Sequence, residues 1–286
     1  MPVTADRPVV ILTRQPTQAG AVEAGLTEAG YRVAFLPLTD FALPENLAEL
    51  RAVVRRVEPV GQLDPAPAWL VLTSPNTVRA LVCAGWDGRV AAGLRVAVTG
   101  PGTARVLAAA GCTEIPWMPE GDASAAGILA QFPSPAEASG RGVLLPQSAL
   151  ATDEVARGLI ERGWDVNRIE AYRTVPYPAA AGRRLLRGET VGAAAGTPAG
   201  TGTAAETGAW PTIVTPEDLE GADVVLTSPS AVRELVRRSG VIVPAGTRFF
   251  AIGQPTARAA DSVGLVLTGT APAPDAAGLL AALTAP

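Results

Sequence analysis

Hydroxyl-bearing residues follow two apolar runs of the sequence, in turns of nearly the same composition. Thr73-Ser74-Pro75 comes after the first run and Thr227-Ser228-Pro229 after the second. Serine before proline is typical of a helix start, because the serine oxygen caps the helix and proline lacks an N–H that would go unbonded there. A helix start at the carboxyl end of a parallel strand attracts anions. The candidate binding residues are therefore Ser74, Asn76, Thr227, Ser228 and Ser230, and simple helix capping is the alternative interpretation.

A second pair of turns carries glycine and threonine. Gly100-Pro101-Gly102-Thr103 reappears as Gly253-Gln254-Pro255-Thr256. The first glycine lets a ligand approach the backbone, and the threonine adds a hydroxyl in the following helical turn. Gly100, Thr103, Gly253 and Thr256 are therefore candidate binding residues for the same kind of anion. The second turn has proline where the first has Gly102, so it is stiffer and need not make equal ligand contacts.

Three more side chains could act at the same end of the strands. Thr13-Arg14 ends the first apolar run of the chain, and the guanidinium fork of arginine matches a carboxylate. Tyr172 could donate a hydrogen bond to a ligand or act as a weak general acid. The alternatives are a solvated surface arginine and a half-buried strand tyrosine.

The composition excludes much other chemistry. The 286 residues include no histidine, and all 23 basic residues are arginines. A Ser-His-Asp triad, a lysine Schiff base and a P-loop lysine are therefore impossible. Cys83 and Cys112 lack the spacing of a structural zinc site, so we expect no metal and two small, reduced thiols.

Charge and hydropathy restrict the partners. The formal charge of −4 argues against general nucleic-acid binding, which needs a basic face. No apolar run reaches the roughly 18 residues of a membrane span, and the first residues lack the layout of a signal peptide. We therefore expect a cytoplasmic protein without a nucleic-acid or membrane partner.

The elements that position these residues form an alternating pattern. Apolar runs read as buried strands, and each is followed by a turn and a helical segment; they lie at 9–12, 69–72, 95–98, 143–145, 224–226 and 249–252. Such alternation predicts an α/β protein with parallel sheets.

The chain also repeats internally in the order X, Y, X′, Y′. Residues 9–33 (X) align without gaps on 142–166 (X′), and the serine and glycine turns of 72–111 (Y) return in 226–264 (Y′). This repetition predicts two domains of related fold. Contiguity along the chain favours packing of X with Y. Residues 188–208, rich in glycine, alanine and threonine, look like a flexible surface insertion.

Six motifs in order resemble those of the uroporphyrinogen-III synthase family. They are Val-x-Leu-Thr-Arg from residue 10, Leu-Thr-Ser-Pro-Asn-Thr-Val from 72, Gly-Pro-Gly-Thr-Ala from 100, Glu-Ala-Tyr-Arg-Thr from 170, Leu-Thr-Ser-Pro-Ser-Ala-Val from 226, and Ala-Ile-Gly-Gln-Pro-Thr-Ala from 251. Each motif is weak alone, and their order makes the resemblance specific.

The resemblance implies two flavodoxin-like, parallel-sheet domains with X packed against Y′ and X′ against Y, contrary to the contiguity expectation. One domain is then discontinuous, with residues 1–38 and 178–286, and the other is continuous, with residues 43–172. Residues 38–44 and 173–178 become the two interdomain linkers.

The resemblance also implies a hydro-lyase (EC 4.2.1.75) of tetrapyrrole and haem biosynthesis. It would cyclise hydroxymethylbilane, an octacarboxylate, to uroporphyrinogen III with loss of water and inversion of ring D, without metal or cofactor. Tyr172 corresponds to the family tyrosine proposed to assist loss of the hydroxyl. Thr103, Ser228 and Thr256 would line the interdomain cleft, with Ser74 as the repeat partner of Ser228. A monomer is expected, and the open alternative is a non-catalytic module that binds a tetrapyrrole or another anion in the same cleft.

Overall fold

The computed structural model describes residues 8–58, 67–138, 140–186, 212–239 and 244–285. Within these ranges the chain divides into two compact units. Unit 1 contains residues 8–40, 175–178 and 212–285, and unit 2 contains residues 41–174 and 179–186. The predicted insertion at 188–208 lies outside the described residues.

Strands and helices alternate along most of the described chain. The strands are β1 (Val9–Leu12), β2 (Arg32–Phe35), β3 (Thr39–Ala42), β4 (Pro67–Leu72), β5 (Arg95–Val98), β6 (Gly142–Ser148), β7 (Asp165–Pro176), β8 (Thr212–Ile213), β9 (Asp223–Leu226), β10 (Arg248–Ala251) and β11 (Gly269–Thr270). The α-helices are α1 (Ala21–Glu28), α2 (Ala48–Val57), α3 (Pro75–Cys83), α4 (Pro101–Ala109), α5 (Ala125–Gln131), α6 (Glu154–Glu161), α7 (Pro229–Ser239), α8 (Gln254–Ser262) and α9 (Ala276–Leu283). Short 3-10 turns lie at Pro16–Gln18, Pro135–Glu137 and Pro216–Leu219. No described helix is both long and apolar enough to cross a membrane.

The sheet of unit 1 has the strand order β11-β10-β9-β1-β2-β8, and its strand pairs are parallel. β1 lies beside β9, with Ile11 opposite Val224. Repeat X therefore packs with Y′, and the expectation from contiguity, X with Y, is wrong. Closing a longer loop adds little entropy cost, so the buried pairing of β1 with β9 decides the topology.

The sheet of unit 2 has the order β3-β7-β6-β4-β5, with β7, β6, β4 and β5 parallel. β4 is buried at all six positions, as expected for a strand covered on both faces. β6 lies between β7 and β4, as β1 lies between β2 and β9 in unit 1. Each unit therefore joins one X-type repeat to one Y-type repeat.

Helices cover both faces of the unit 1 sheet, which makes it doubly wound. Ile11 packs in a core with α7 and α8, while Val10 and Leu12 pack in a second core with α1 and α9. Side chains alternate between the faces of a strand, so the apolar run of β1 supplies both cores.

The unit boundaries differ from the predicted ones at two places. The predicted linkers contain regular strand, because β3 covers 39–42 and β7 continues to Pro176. Residues 179–186 belong to unit 2, although the sequence analysis placed them in the discontinuous domain. The backbone N–H of Leu185 donates to the Phe41 carbonyl at 2.8 Å, and that of Leu43 donates to the Arg183 carbonyl at 2.8 Å. These bonds satisfy backbone groups of both segments and hold 179–186 on unit 2.

Candidate functional site

In unit 2 the predicted serine turn contacts the predicted catalytic tyrosine. Ser74 caps α3, and its Oγ accepts the backbone N–H of Asn76 at 3.1 Å. The Tyr172 hydroxyl donates to the same Oγ at 3.2 Å. The structure therefore brings together three residues of the predicted site from two separate motifs.

Tyr172 is held in place by its strand and its ring. The register between β6 and β7 shifts after Gln147, so that Ser148 pairs with Tyr172. The ring is buried and meets Phe41 edge to face, with the ring centroids 5.8 Å apart. A buried ring in edge contact has little freedom, so the phenol direction is set by packing.

The bonds of Ser74 leave its own proton unused. A serine hydroxyl has two acceptor lone pairs and one proton. The Asn76 N–H and the Tyr172 hydroxyl occupy both lone pairs, and no described residue accepts the serine proton. Ser74 is half-buried, so it can donate to a group outside the chain. The bond from Tyr172 polarises the serine hydroxyl and strengthens that donation.

The glycine turn of unit 2 is closely packed. Gly100 caps α4, and the Thr103 N–H donates to its carbonyl at 3.1 Å. A Cβ at Gly100 would lie 2.8 Å from Cβ of Ala123, closer than packed carbons come. Thr103 is 3% exposed. Glycine is required here by space and not by its dihedral angles, since φ is −173°.

In unit 1 two predicted site threonines bond to each other. The Thr13 hydroxyl donates to the Val225 carbonyl at 3.2 Å and accepts the Thr227 N–H at 3.0 Å. The Thr227 hydroxyl donates to the Thr13 carbonyl at 3.0 Å. Both hydroxyl protons are used within the chain, so this pair joins the ends of β1 and β9.

Four more predicted residues of unit 1 lie at two helix starts. Ser228 Oγ accepts the Ala231 N–H at 3.1 Å, and the hydroxyls of Ser228 and Ser230 are 3.0 Å apart. Gly253 caps α8, and Thr256, 2% exposed, donates its N–H to the Gly253 carbonyl at 3.1 Å. Thr256 and Thr103 thus occupy the same third helical position in the two units.

Arg14 is paired inside unit 1. Its Nε donates to Glu23 at 2.5 Å, and its Nη2 forms an ion pair with the same carboxylate. Glu23 is 1% exposed and also accepts the Gly20 N–H at 2.8 Å. The positive charge of Arg14, which was predicted to bind a ligand carboxylate, is therefore already compensated by the buried carboxylate of Glu23.

Glu23 and Arg79 are not among the predicted site residues. Arg79 is half-buried and donates from Nη1 to Oδ1 of Asn76 at 2.9 Å. One signal was available for Arg79, because an arginine stands at the same place in both copies of the serine turn, at 79 and 233. For Glu23 no repeat signal exists, since its aligned residue in X′ is Ala156.

The described residues contain no candidate metal-binding cluster. Among those residues no group of three or more cysteine, aspartate or glutamate side chains could hold a metal ion. The arrangement can instead donate hydrogen bonds to an oxygen and offer helix starts to an anion.

The fold and these turns define a class of protein. It is an α/β protein of two parallel-sheet units, each with serine and glycine turns at the carboxyl ends of its strands. The model of the family described as Uroporphyrinogen-III synthase HemD matches residues 20–281, and the chain belongs to this family.

Individual proteins and solved structures are similar to this chain. The chain is 27% identical over 263 residues to "Uroporphyrinogen-III synthase, chloroplastic" of Oryza sativa subsp. japonica, covering 90% of this chain and 74% of the relative. The crystal structure of uroporphyrinogen-III synthetase from Helicobacter pylori 26695 covers 96% of this chain and 97% of its own, with a TM-score of 0.54 at 15% identity, and supports the fold. A mutant uroporphyrinogen III synthase from the extremely thermophilic bacterium Thermus thermophilus matches over 96% of this chain and 98% of its own, with 20% identity and a TM-score of 0.49.

Proposed function

We propose that this chain, a lyase of the uroporphyrinogen-III synthase family in porphyrin and haem biosynthesis, uses the Ser74–Tyr172 pair to help the hydroxyl of hydroxymethylbilane leave. The product is uroporphyrinogen III. The observation that carries the proposal is the hydrogen bond from the Tyr172 hydroxyl to Ser74 Oγ, 3.2 Å long.

Ser74 is the group that donates to the leaving oxygen. Its proton has no acceptor among the described residues, whereas the Tyr172 proton is directed at Ser74. Tyr172 therefore acts through Ser74, by making the serine hydroxyl a stronger donor. The C–O bond breaks with both electrons on the oxygen, and the ring nitrogen of the substrate donates its electron pair to the carbon. Ser74 passes its proton to the oxygen and takes the proton of Tyr172, so that water leaves. A substrate that ionises readily needs such positioned donors more than a strong nucleophile.

The other predicted binding residues divide between ligand contact and support. The positive dipole ends of the helices that begin after Ser74, Ser228, Gly100 and Gly253 favour the carboxylates of the substrate. Thr13 and Thr227 hold β1 and β9 together and keep the serine turn at Ser228 in place.

We also propose a cytoplasmic monomer. Cys83 and Cys112 form no disulfide, which is usual in a reducing compartment, although the rice relative is chloroplastic. Sedimentation equilibrium of the purified protein tests the monomer.

An isomer assay tests the function. Hydroxymethylbilane closes spontaneously to the type I isomer, so folded wild-type protein without added metal or cofactor should divert it to type III. Chromatography that separates the two isomers measures the ratio. Only type I product from folded protein would leave the non-catalytic binding module as the explanation.

Tyr172→Phe tests the assignment of the site. We expect turnover to fall about 10- to 100-fold, the low end of general-acid assistance, because Phe keeps the ring packing and removes only the hydroxyl. Tyr31→Phe, in unit 1, is the matched control and should keep the wild-type rate. Equal rates for both variants would make Tyr172 a packing residue.

A further inference from the structure

Arg79 carries a charge that no carboxylate of the described chain compensates. It lies in α3, one turn after Asn76, and forms no ion pair with any described residue. Its side chain is half-buried, and its Nε is buried without a hydrogen-bond partner. Removal from water without a counter-charge lowers the pKa of Arg79. A cation in this position gains from an anion brought by a ligand.

The nitrogens of Arg79 differ in bonding and in burial. Nη1 donates to Oδ1 of Asn76 at 2.9 Å, which fixes the plane of the guanidinium. Nε is buried without an acceptor, whereas Nη2 has neither an acceptor among the described residues nor that burial. Nη2 is therefore the nitrogen through which a carboxylate oxygen can reach this charge.

The second serine turn has an equivalent arginine, Arg233, which lacks the surroundings of Arg79. Arg233 follows Ser228 by five positions, as Arg79 follows Ser74. Arg233 is exposed, and the residue equivalent to Asn76 is Ser230, whose hydroxyl lies against Ser228. Arg233 therefore has neither the burial nor the amide that orients Arg79.

We propose that Arg79, oriented by Asn76, binds a carboxylate group of the substrate through its Nη2. This assignment rests on the proposed function, since it takes the anion to be part of the molecule on which the Ser74–Tyr172 pair acts. Arg79 is then a binding residue that fixes the substrate beside Ser74, three residues from Asn76 along one helix.

The test compares Arg79→Gln with Arg233→Gln in the full chain. Arg79→Gln should raise KM for hydroxymethylbilane about 10- to 100-fold, the loss expected for a charged hydrogen bond, with kcat changed far less. Arg79→Lys should recover part of the loss, because it restores charge without the fork. Arg233→Gln should keep wild-type KM. Salt should raise KM of the wild type more steeply than that of Arg79→Gln.

A second arm is independent of turnover. Tricarballylate, a small tricarboxylate, should raise the thermal unfolding midpoint of wild type and Arg233→Gln, relative to sodium chloride of equal ionic strength, and should not raise that of Arg79→Gln. If wild type makes type III product but Arg79→Gln and Arg79→Lys keep its KM and its response to tricarballylate, the carboxylate site is wrong and the proposed function stands. If wild type makes only type I product, the function fails. In that case, stabilisation by tricarballylate that Arg79→Gln abolishes would still show an anion site at Arg79. If tricarballylate does not stabilise the wild type, the anion site is wrong as well.

Discussion

The two serine turns of this protein have nearly the same sequence but different bonding. In unit 2, Ser74 Oγ accepts from the Asn76 N–H and from the Tyr172 hydroxyl of β7. In unit 1, Ser228 Oγ accepts from the Ala231 N–H and its hydroxyl lies 3.0 Å from that of Ser230, so its contacts stay inside its own turn. The repeated motif thus forms the same helix start twice, but of the two serines Ser74 alone accepts a hydrogen bond from a tyrosine.

The difference comes from the neighbouring element and not from the turn. β7 brings a buried tyrosine to Ser74 across 98 positions of sequence. In unit 1 the threonine before the serine has the long-range contact, because Thr227 bonds to Thr13 on β1. One copy therefore has a hydroxyl proton available for a ligand, and the other uses its hydroxyls to join two strands.

The largest expected effect concerns the ion pair that only unit 1 has at the end of its first strand. Arg14 and Glu23 align with Gln147 and Ala156 in unit 2. Glu23→Ala removes a buried carboxylate, leaves Arg14 uncompensated and frees the Gly20 N–H. We expect the free energy of unfolding to fall by about 3 kcal/mol, as for other broken buried pairs. Urea unfolding of the full chain measures it.

A double variant separates the pair from its parts. In Arg14→Met with Glu23→Leu both charges are absent, so the loss should be clearly smaller than in Glu23→Ala. A double variant less stable than Glu23→Ala would show that the ion pair itself stabilises unit 1.

The two capping glycines should differ when each is replaced by alanine. Gly100→Ala puts a Cβ 2.8 Å from Ala123 and should cost about 2 kcal/mol of stability, as overpacking does. At Gly253 the nearest atom is Cδ of Pro255 at 4.0 Å, and φ of 172° suits any residue. Gly253→Ala should therefore leave the thermal unfolding midpoint almost unchanged. Equal losses at both positions would mean that the two glycine turns are packed alike.

At the serine caps the expected loss of stability is smaller than at Gly100, and rate and stability should separate. Ser74→Ala and Ser228→Ala each remove a cap and should each cost about 1 kcal/mol. Only Ser74→Ala should also slow formation of the type III isomer, by about 10-fold or more, because it removes the donor that Tyr172 polarises. Unfolding midpoints and initial rates on the same samples measure both. Ser228→Ala as slow as Ser74→Ala would remove the functional difference between the turns.

Much of the fold could be predicted from the sequence, because local patterns determine it. The apolar runs at 9–12 and 249–252 are β1 and β10 to within one residue. The serine and glycine motifs begin α3, α4 and α8 at the predicted places. The expectation from contiguity was wrong for the pairing of the repeats. Strand pairing depends on which buried strand edges fit together and only weakly on how far apart the strands are in sequence.

The candidate site could be predicted as a set of residues and less well as a set of contacts. The serine turns were found by their repetition, and Tyr172 by its motif. The pairing of Arg14 with Glu23 could not be predicted, because the carboxylate lies on a helix face whose direction depends on packing. Arg79 was passed over because an arginine follows both serine turns, and the sequence does not show that Arg79 is half-buried while Arg233 is exposed.

By itself the sequence determined the family, the α/β class, the two related halves and the residue types available for chemistry, because these depend on composition, order and short-range pattern. The tertiary structure alone decided that β1 joins β9, that residues 179–186 belong to unit 2, that Tyr172 bonds to Ser74, and that Arg79 has no carboxylate partner among the described residues. Each of these depends on which groups are removed from water together, and that is a property of the packed chain and not of any segment of it.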